Sequence, residues 1–228
     1  MVILALDTTA RAGSLALWRD GRVEAVLVGD ASRTHGERLP GDVRALLSRA
    51  GIGIADVDLY AVLVGPGSFT GLRVGIAAVQ GLAFAQARRV VGVPALEACA
   101  MADEAGDGIV GVWIDAQRGQ VFAAAYERRA ASLTTVSEPV ARAPQEVVAL
   151  WRGQAFAVDV LIGDGLDRYS EIARRAWPGA RLVAPAPPLA PIAARLAAAR
   201  ADQAVAPHAL VPIYVRPPDA ELARRARR

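Results

Sequence analysis

The sequence predicts an α/β protein of two lobes. Strands and helices alternate along it, two apolar strands (ILALD and VGVWID) each end in Asp and lead into a hairpin, and the segment EAGDG interrupts the hydrophobic pattern between them. With 228 residues, 54% of them hydrophobic and 21% charged, the chain can bury a core in one large domain or in two lobes of roughly 100 residues each. No apolar run reaches the roughly 18 residues of a membrane span.

The opening reads β-β-β-α: VILALDTT as a buried strand, SLALWRDGRVEAVLV as a hairpin turning at Asp20-Gly21, and a helix from about Gly36 to Ala50. A strand LYAVLVG, a loop PGSFTG, a helix across LRVGIAAVQGLAFAQA, a strand VVGV and a short helix after Pro94 complete a first lobe, expected over residues 1–104. The second lobe, 105–228, restarts with a hairpin IVGVWIDAQRGQVFAAAYE turning at Gln117 to Gly119. Late in the chain, the proline-rich APAPPLAP reads as a linker into the Ala-rich helix IAARLAAAR.

Missing residue types exclude several chemistries. All 26 basic residues are Arg; without Lys there is no Walker A phosphate loop, Schiff-base nucleophile or Ser/Lys dyad. The two histidines, His35 and His208, stand far apart with no Cys or His at ligand spacing, so no metal site is expected. Cys99 is the single cysteine, which excludes an internal disulfide, and Met1 leads straight into a strand without a signal-peptide pattern. The expected location is cytoplasmic. A net charge of +3 is a weak basic excess, except that Arg224, Arg225, Arg227 and Arg228 cluster at the end, as a phosphate contact or a solvated helix end.

Two motifs could carry chemistry. In ALDTT, Asp7 ends a buried strand and is followed by Thr8 and Thr9. Such a carboxylate can act through water on a cation while hydroxyls cradle phosphate, or it can cap its own turn. In GPGSFTGLRVG, Gly65, Gly67, Ser68, Thr70, Gly71 and Arg73 open a helix. Amides at the helix start, with Arg73 in the first turn, suit an anion. Alternatively Pro66-Gly67 turns, Ser68 or Thr70 caps, and Gly71 and Gly75 let the helix lie against another backbone. Spacing leaves both readings open.

Taken together and in this order, ILALDTT, HGERLP, GPGSFTGLRVG, IDAQRGQVF, GDG and PIYVR resemble the TsaB (YeaZ) family across nearly the whole chain. The resemblance implies two related lobes of actin-like ATPase (ribonuclease H-like) type. It implies a scaffold and activator, not catalytic alone, in the complex that forms N6-threonylcarbamoyladenosine at position 37 of tRNAs reading A-starting codons. A TsaD-like subunit would carry the transferase site, a TsaE-like protein an accessory ATPase, with ATP and a metal on those partners and no cofactor on this chain; tRNA would be reached through the complex. The catalytic relative's H-x-x-x-H pair has no counterpart here.

Asp115, the second-lobe equivalent of Asp7, is followed by Ala116 and Gln117 where a phosphate-binding turn would have glycine; Gly163-Asp164-Gly165 sits where this fold approaches adenosine, or is a plain turn. These positions, with Asp7 and the glycine loop, are the expected vestigial nucleotide or anion site. Partner docking, or homodimerisation of the chain alone, is expected on two helix stripes: Leu39, Val43, Leu46 and Leu47, and Val74, Ala77, Ala78 and Gly81. Either stripe could simply be core, the commoner fate of an apolar helix face. The competing functions are a self-sufficient ATP-dependent transferase or kinase of the same fold, needing Asp7 and Asp115 on Mg2+, and a glycoprotease-like hydrolase, needing a base.

Overall fold

The computed structural model describes residues 1–102, 106–130, 132–184 and 186–216. The chain divides into two compact units. The first comprises Met1–Ala98 with Pro188–Ile213, and the second Cys99–Pro187 with the described residues from Tyr214 onward.

In the first unit, strands β1 (Val2–Asp7), β2 (Ser14–Arg19) and β3 (Arg22–Val28) form an antiparallel meander. Strands β4 (Leu59–Gly65) and β5 (Arg89–Pro94) add in parallel to β1, giving the order β3-β2-β1-β4-β5. Asp20 and Gly21 both have positive φ, 46° and 94°, as the mirror-image turn of a two-residue hairpin requires.

Alternation along the strands sends Leu4, Leu6, Leu15, Leu17, Tyr60, Val62 and Val64 to one face, under helices α1 (His35–Arg49) and α2 (Phe69–Ala85). The alternate set, including Ile3, Ala5, Ala16, Ala61 and Leu63, is just as fully buried. Strand β5 is followed by the short helix α3 (Ala95–Ala100).

The second unit repeats this topology. Strands β6 (Gly108–Asp115), β7 (Val121–Arg129) and β8 (Ser132–Arg142) form the meander, helix α4 (Pro144–Gly153) follows, and β9 (Val160–Ile162) and β10 (Arg181–Val183) run parallel to β6. The order β10-β9-β6-β7-β8 is the first sheet's order with each strand replaced by its counterpart. Two related mixed sheets flanked by helices match the two-lobed α/β architecture expected from the sequence. Helices α4 and α5 (Leu166–Ala176) cover one face over Trp113, Trp151 and Trp177, whose rings lie 5.5 to 6.4 Å apart. Trp151 donates from Nε1 to Ser137 Oγ at 3.1 Å.

The last helix, α6 (Ala190–Ala199), corrects the expected division at 104/105, which assigned everything after that point to the second lobe. Residues 103–105, where that boundary falls, lie outside the described residues. Helix α6 packs on β1, β2 and β4 of the first unit. Its buried face is Ala190, Ala193, Ala194 and Ala197, small enough to let the helix lie close on the sheet. Ala190 N donates to Ser14 Oγ at 3.1 Å, and Arg200 forms a two-pronged ion pair with Glu97. None of the described helices is long and apolar enough to cross a membrane.

Truncation after Pro187 should therefore uncover the Ile3, Ala5 and Leu63 face and abolish cooperative unfolding of the first unit, as read by circular dichroism and limited proteolysis of residues 1–98. Preserved cooperativity would contradict the assignment of α6 to that unit.

Candidate functional site

Asp7 lies at the carboxyl end of β1 and is buried, as are Thr8 and Thr9. Its Oδ1 accepts from the Thr9 amide at 2.8 Å and the Thr9 hydroxyl at 2.6 Å, so the carboxylate caps its own turn. Burial pushes the Asp7 pKa up, while Thr9 and the neighbouring His35 and Arg38 pull it down. Thr8 Oγ1 is buried without a hydrogen-bond partner.

The glycine loop meets this turn. Ser68 N donates to Thr9 O at 2.8 Å, and Ser68 Oγ caps α2 by accepting from Gly71 N at 3.2 Å. A Cβ at Gly71 would lie 2.1 Å from Thr8 O, and one at Gly75 would lie 2.1 Å from Thr8 Oγ1. Of the two readings open for this motif, these contacts meet the packing one, because Gly71 and Gly75 let α2 press against the Asp7 turn. Gly65 is buried and Gly67 half-buried, while Ser68 and Thr70 are exposed at the helix start. Arg73 falls beyond the first turn where it was expected, with its guanidinium 3.9 Å from the centroid of the Phe69 ring.

The second unit answers element for element. Asp115 ends β6 as Asp7 ends β1. Its Oδ1 accepts from Gln117 N at 2.9 Å and its Oδ2 from Gln117 Nε2 at 3.0 Å, with Arg168 Nη1 at 3.5 Å. Gln117 and Arg118 adopt φ of 59° and 54° in the turn expected to need glycine. Gly163-Asp164-Gly165 ends β9 and opens α5, just as Gly65-Pro66-Gly67 ends β4 and leads to α2. Gly165 N bonds Trp113 O at 3.0 Å and Asp164 Oδ1 accepts from Asp115 N at 2.8 Å, so this turn ties β9 to β6. The matched Gly-x-Gly turns were not paired from sequence, because only the strand order shows their equivalence. Among the described residues, no group of three or more His, Cys, Asp and Glu is placed to hold a metal.

The α1 stripe expected at a partner surface is core. Leu39, Val43, Leu46 and Leu47 are buried among the β1, β2 and β4 side chains, which leaves none of them available for docking. On α2 the stripe splits, with Val74 and Ala78 packing partly on that core and Ala77 and Gly81 facing out. On the same helix Phe84 is 81% exposed, a residue the stripe analysis missed although its aromatic side chain near a run of small residues was a usable signal. The Arg224 to Arg228 cluster lies outside the described residues.

Two predictions test this geometry. Gly75→Ala should destabilise the protein by about 1–3 kcal/mol through overpacking against Thr8, whereas Gly81→Ala, whose Cβ would meet nothing within 4 Å, should stabilise α2 by up to about 1 kcal/mol. Denaturant midpoints of the two variants measure this.

For Asp7 the folded pKa lies above the unfolded one. The stability it contributes is therefore present below the unfolded value of about 3.9 and lost as pH rises through the folded value. Asp7→Asn keeps the acceptor for Thr9 and should melt higher than the parent at about pH 8, with the gap closing toward about pH 3.

Known proteins resemble this chain along most of its length. Residues 26–210 match the model of the family described as TsaD, tRNA N6-adenosine threonylcarbamoyltransferase. The tRNA threonylcarbamoyladenosine biosynthesis protein TsaB of Escherichia coli (strain K12) is 32% identical over 222 residues, 95% of this chain and 95% of that protein. Among solved structures, YeaZ from Pseudomonas aeruginosa superposes with a TM-score of 0.75 at 33% identity, covering 93% of this chain and 99% of that one. A second Pseudomonas aeruginosa crystal structure, of a protein with similarity to peptidase YEAZ, gives a TM-score of 0.78 at 33% identity, over 94% and 99% of the two chains. On a family model spanning most of its length and a relative aligned along nearly all of it, the chain belongs to the TsaB (YeaZ) family.

Proposed function

We propose that this chain is a non-catalytic scaffold and activator subunit of the complex that forms N6-threonylcarbamoyladenosine at position 37 of tRNAs reading A-starting codons. It acts in the cytoplasm with a TsaD-like catalytic subunit and a TsaE-like ATPase, reaches tRNA through the complex, and pairs with a second copy when alone. ATP and a metal belong to the partners, and the chain itself needs no cofactor. The names of its relatives support the pathway. The observation that carries the non-catalytic reading is that both strand-end aspartates are engaged by their own turns, Asp7 by Thr9 and Asp115 by Gln117. A self-sufficient kinase would need those carboxylates turned toward Mg2+ and its phosphates.

The outward face of α2 supports the docking surface. Ala77 and Gly81 let a second helix approach closely, and exposed Phe84 supplies an aromatic anchor beside them.

Reconstitution with the TsaD-like, TsaE-like and threonylcarbamoyl-adenylate-forming proteins should give modified tRNA only when this chain is present, and the pure chain should turn over negligible ATP. Product formed equally without it would overturn the reading. Phe84→Glu should weaken binding to the TsaD-like subunit by at least about 2 kcal/mol, measured by calorimetry, and leave the melting temperature within about a degree or two because the side chain is exposed.

A further inference from the structure

The HGERLP segment holds a buried polar contact set that the function above does not use. Arg38 is buried on α1, although its neighbours in the helix core are aliphatic. Its guanidinium donates to Ala12 O, to Asp42 Oδ2 at 2.5 Å and to His35 Nδ1 at 2.9 Å. His35 Nε2 lies 3.0 Å from Ala10 O. Both carbonyls belong to the turn between β1 and β2 that begins at Asp7.

Donor chemistry determines the imidazole state. A guanidinium only donates, so Nδ1 must accept, and a carbonyl only accepts, so the His35 proton sits on Nε2. The ring can make both bonds only when neutral.

The space around the pair is built to size. A Cβ at Gly29 would fall 1.8 Å from Arg38 Nη1, and one at Gly13 would fall 2.9 Å from His35 Cε1. Gly29 N donates to Gly13 O at 3.3 Å, so two glycines from the two ends of the β2–β3 hairpin wall the slot.

We infer that His35 is a positioning residue whose neutral form, with Arg38, fastens α1 to the turn carrying Asp7, and that protonation of the ring loosens that turn. The charged groups facing the ring are Arg38 and Asp42 on α1 and Asp7 on β1; Asp30, after β3, faces Arg38. Burial and the Arg38 charge push the His35 pKa down, and the bond to the Ala10 carbonyl and the charges of Asp7 and Asp42 oppose them. Protonation puts a second cation against the guanidinium and removes its acceptor. The inference stands on this geometry alone and does not depend on the proposed pathway.

The chain's two histidines make the test clean by NMR. Nitrogen shifts should show His35 as the Nε2–H tautomer at neutral pH, titrating below the ordinary value of about 6.5. Amide-exchange protection of Thr9 and Gly29 should fall about fivefold as pH drops from neutral through the His35 midpoint, the change expected for one lost hydrogen bond of ordinary net strength. His35→Gln keeps an N–H for Ala10 and an oxygen for Arg38 but cannot titrate, so its protection should stay flat over that range. Because Asp7 still titrates in this variant, any loosening that comes from Asp7 would persist there. A His35 midpoint at or above about 6.5, or an equal acid loss of protection in His35→Gln, would overturn the inference.

Discussion

The first unit is organised by how closely α2 approaches the turn after β1. Gly71 and Gly75 leave no room for a side chain between the helix and Thr8, and Ser68 N completes the contact on Thr9 O. Once the helix is this near, the Asp7 carboxylate is sealed from water and must find its partners within its own turn. Sheet, helix and carboxylate are thus coupled. A change that moves α2 by the width of a methyl group alters the environment of Asp7 without touching it.

Most of the strand order's raw material was legible in the chain. The Asp20-Gly21 turn, the continuous apolar runs of β1 and β4 and the Gly-Pro-Gly punctuation are local signals, and the structure uses each where it was expected. The destination of α6 was not legible, because an Ala-rich amphipathic helix carries no mark of which sheet it covers. Nor could the Leu39 to Leu47 stripe be assigned, since an apolar helix face has the same spacing whether it meets its own sheet or another protein. Arg38 escaped for a related reason. Its burial depends on glycines at 13 and 29 that meet it only after the meander has formed.

The two units show what duplication preserves. Strand order, the carboxyl-terminal aspartate and the Gly-x-Gly turn recur, whereas the partners of each aspartate differ, a threonine in one unit and a glutamine with an arginine in the other. The recurring strand order and glycine turn are set by backbone geometry, and the recurring aspartate caps the turn that follows its strand in both units. The differing partners are side-chain choices, through which one architecture can be turned from one chemistry to another, or to none.

The return of residues 188–213 to the first unit also sets an order on biosynthesis. As the chain leaves the ribosome, β1 to β5 emerge first with one face of their sheet bare, and Cys99–Pro187 must follow before the covering helix exists. The amino-terminal unit therefore finishes folding after the stretch inserted within it has been synthesised, and until then its exposed apolar face is a natural target for a chaperone.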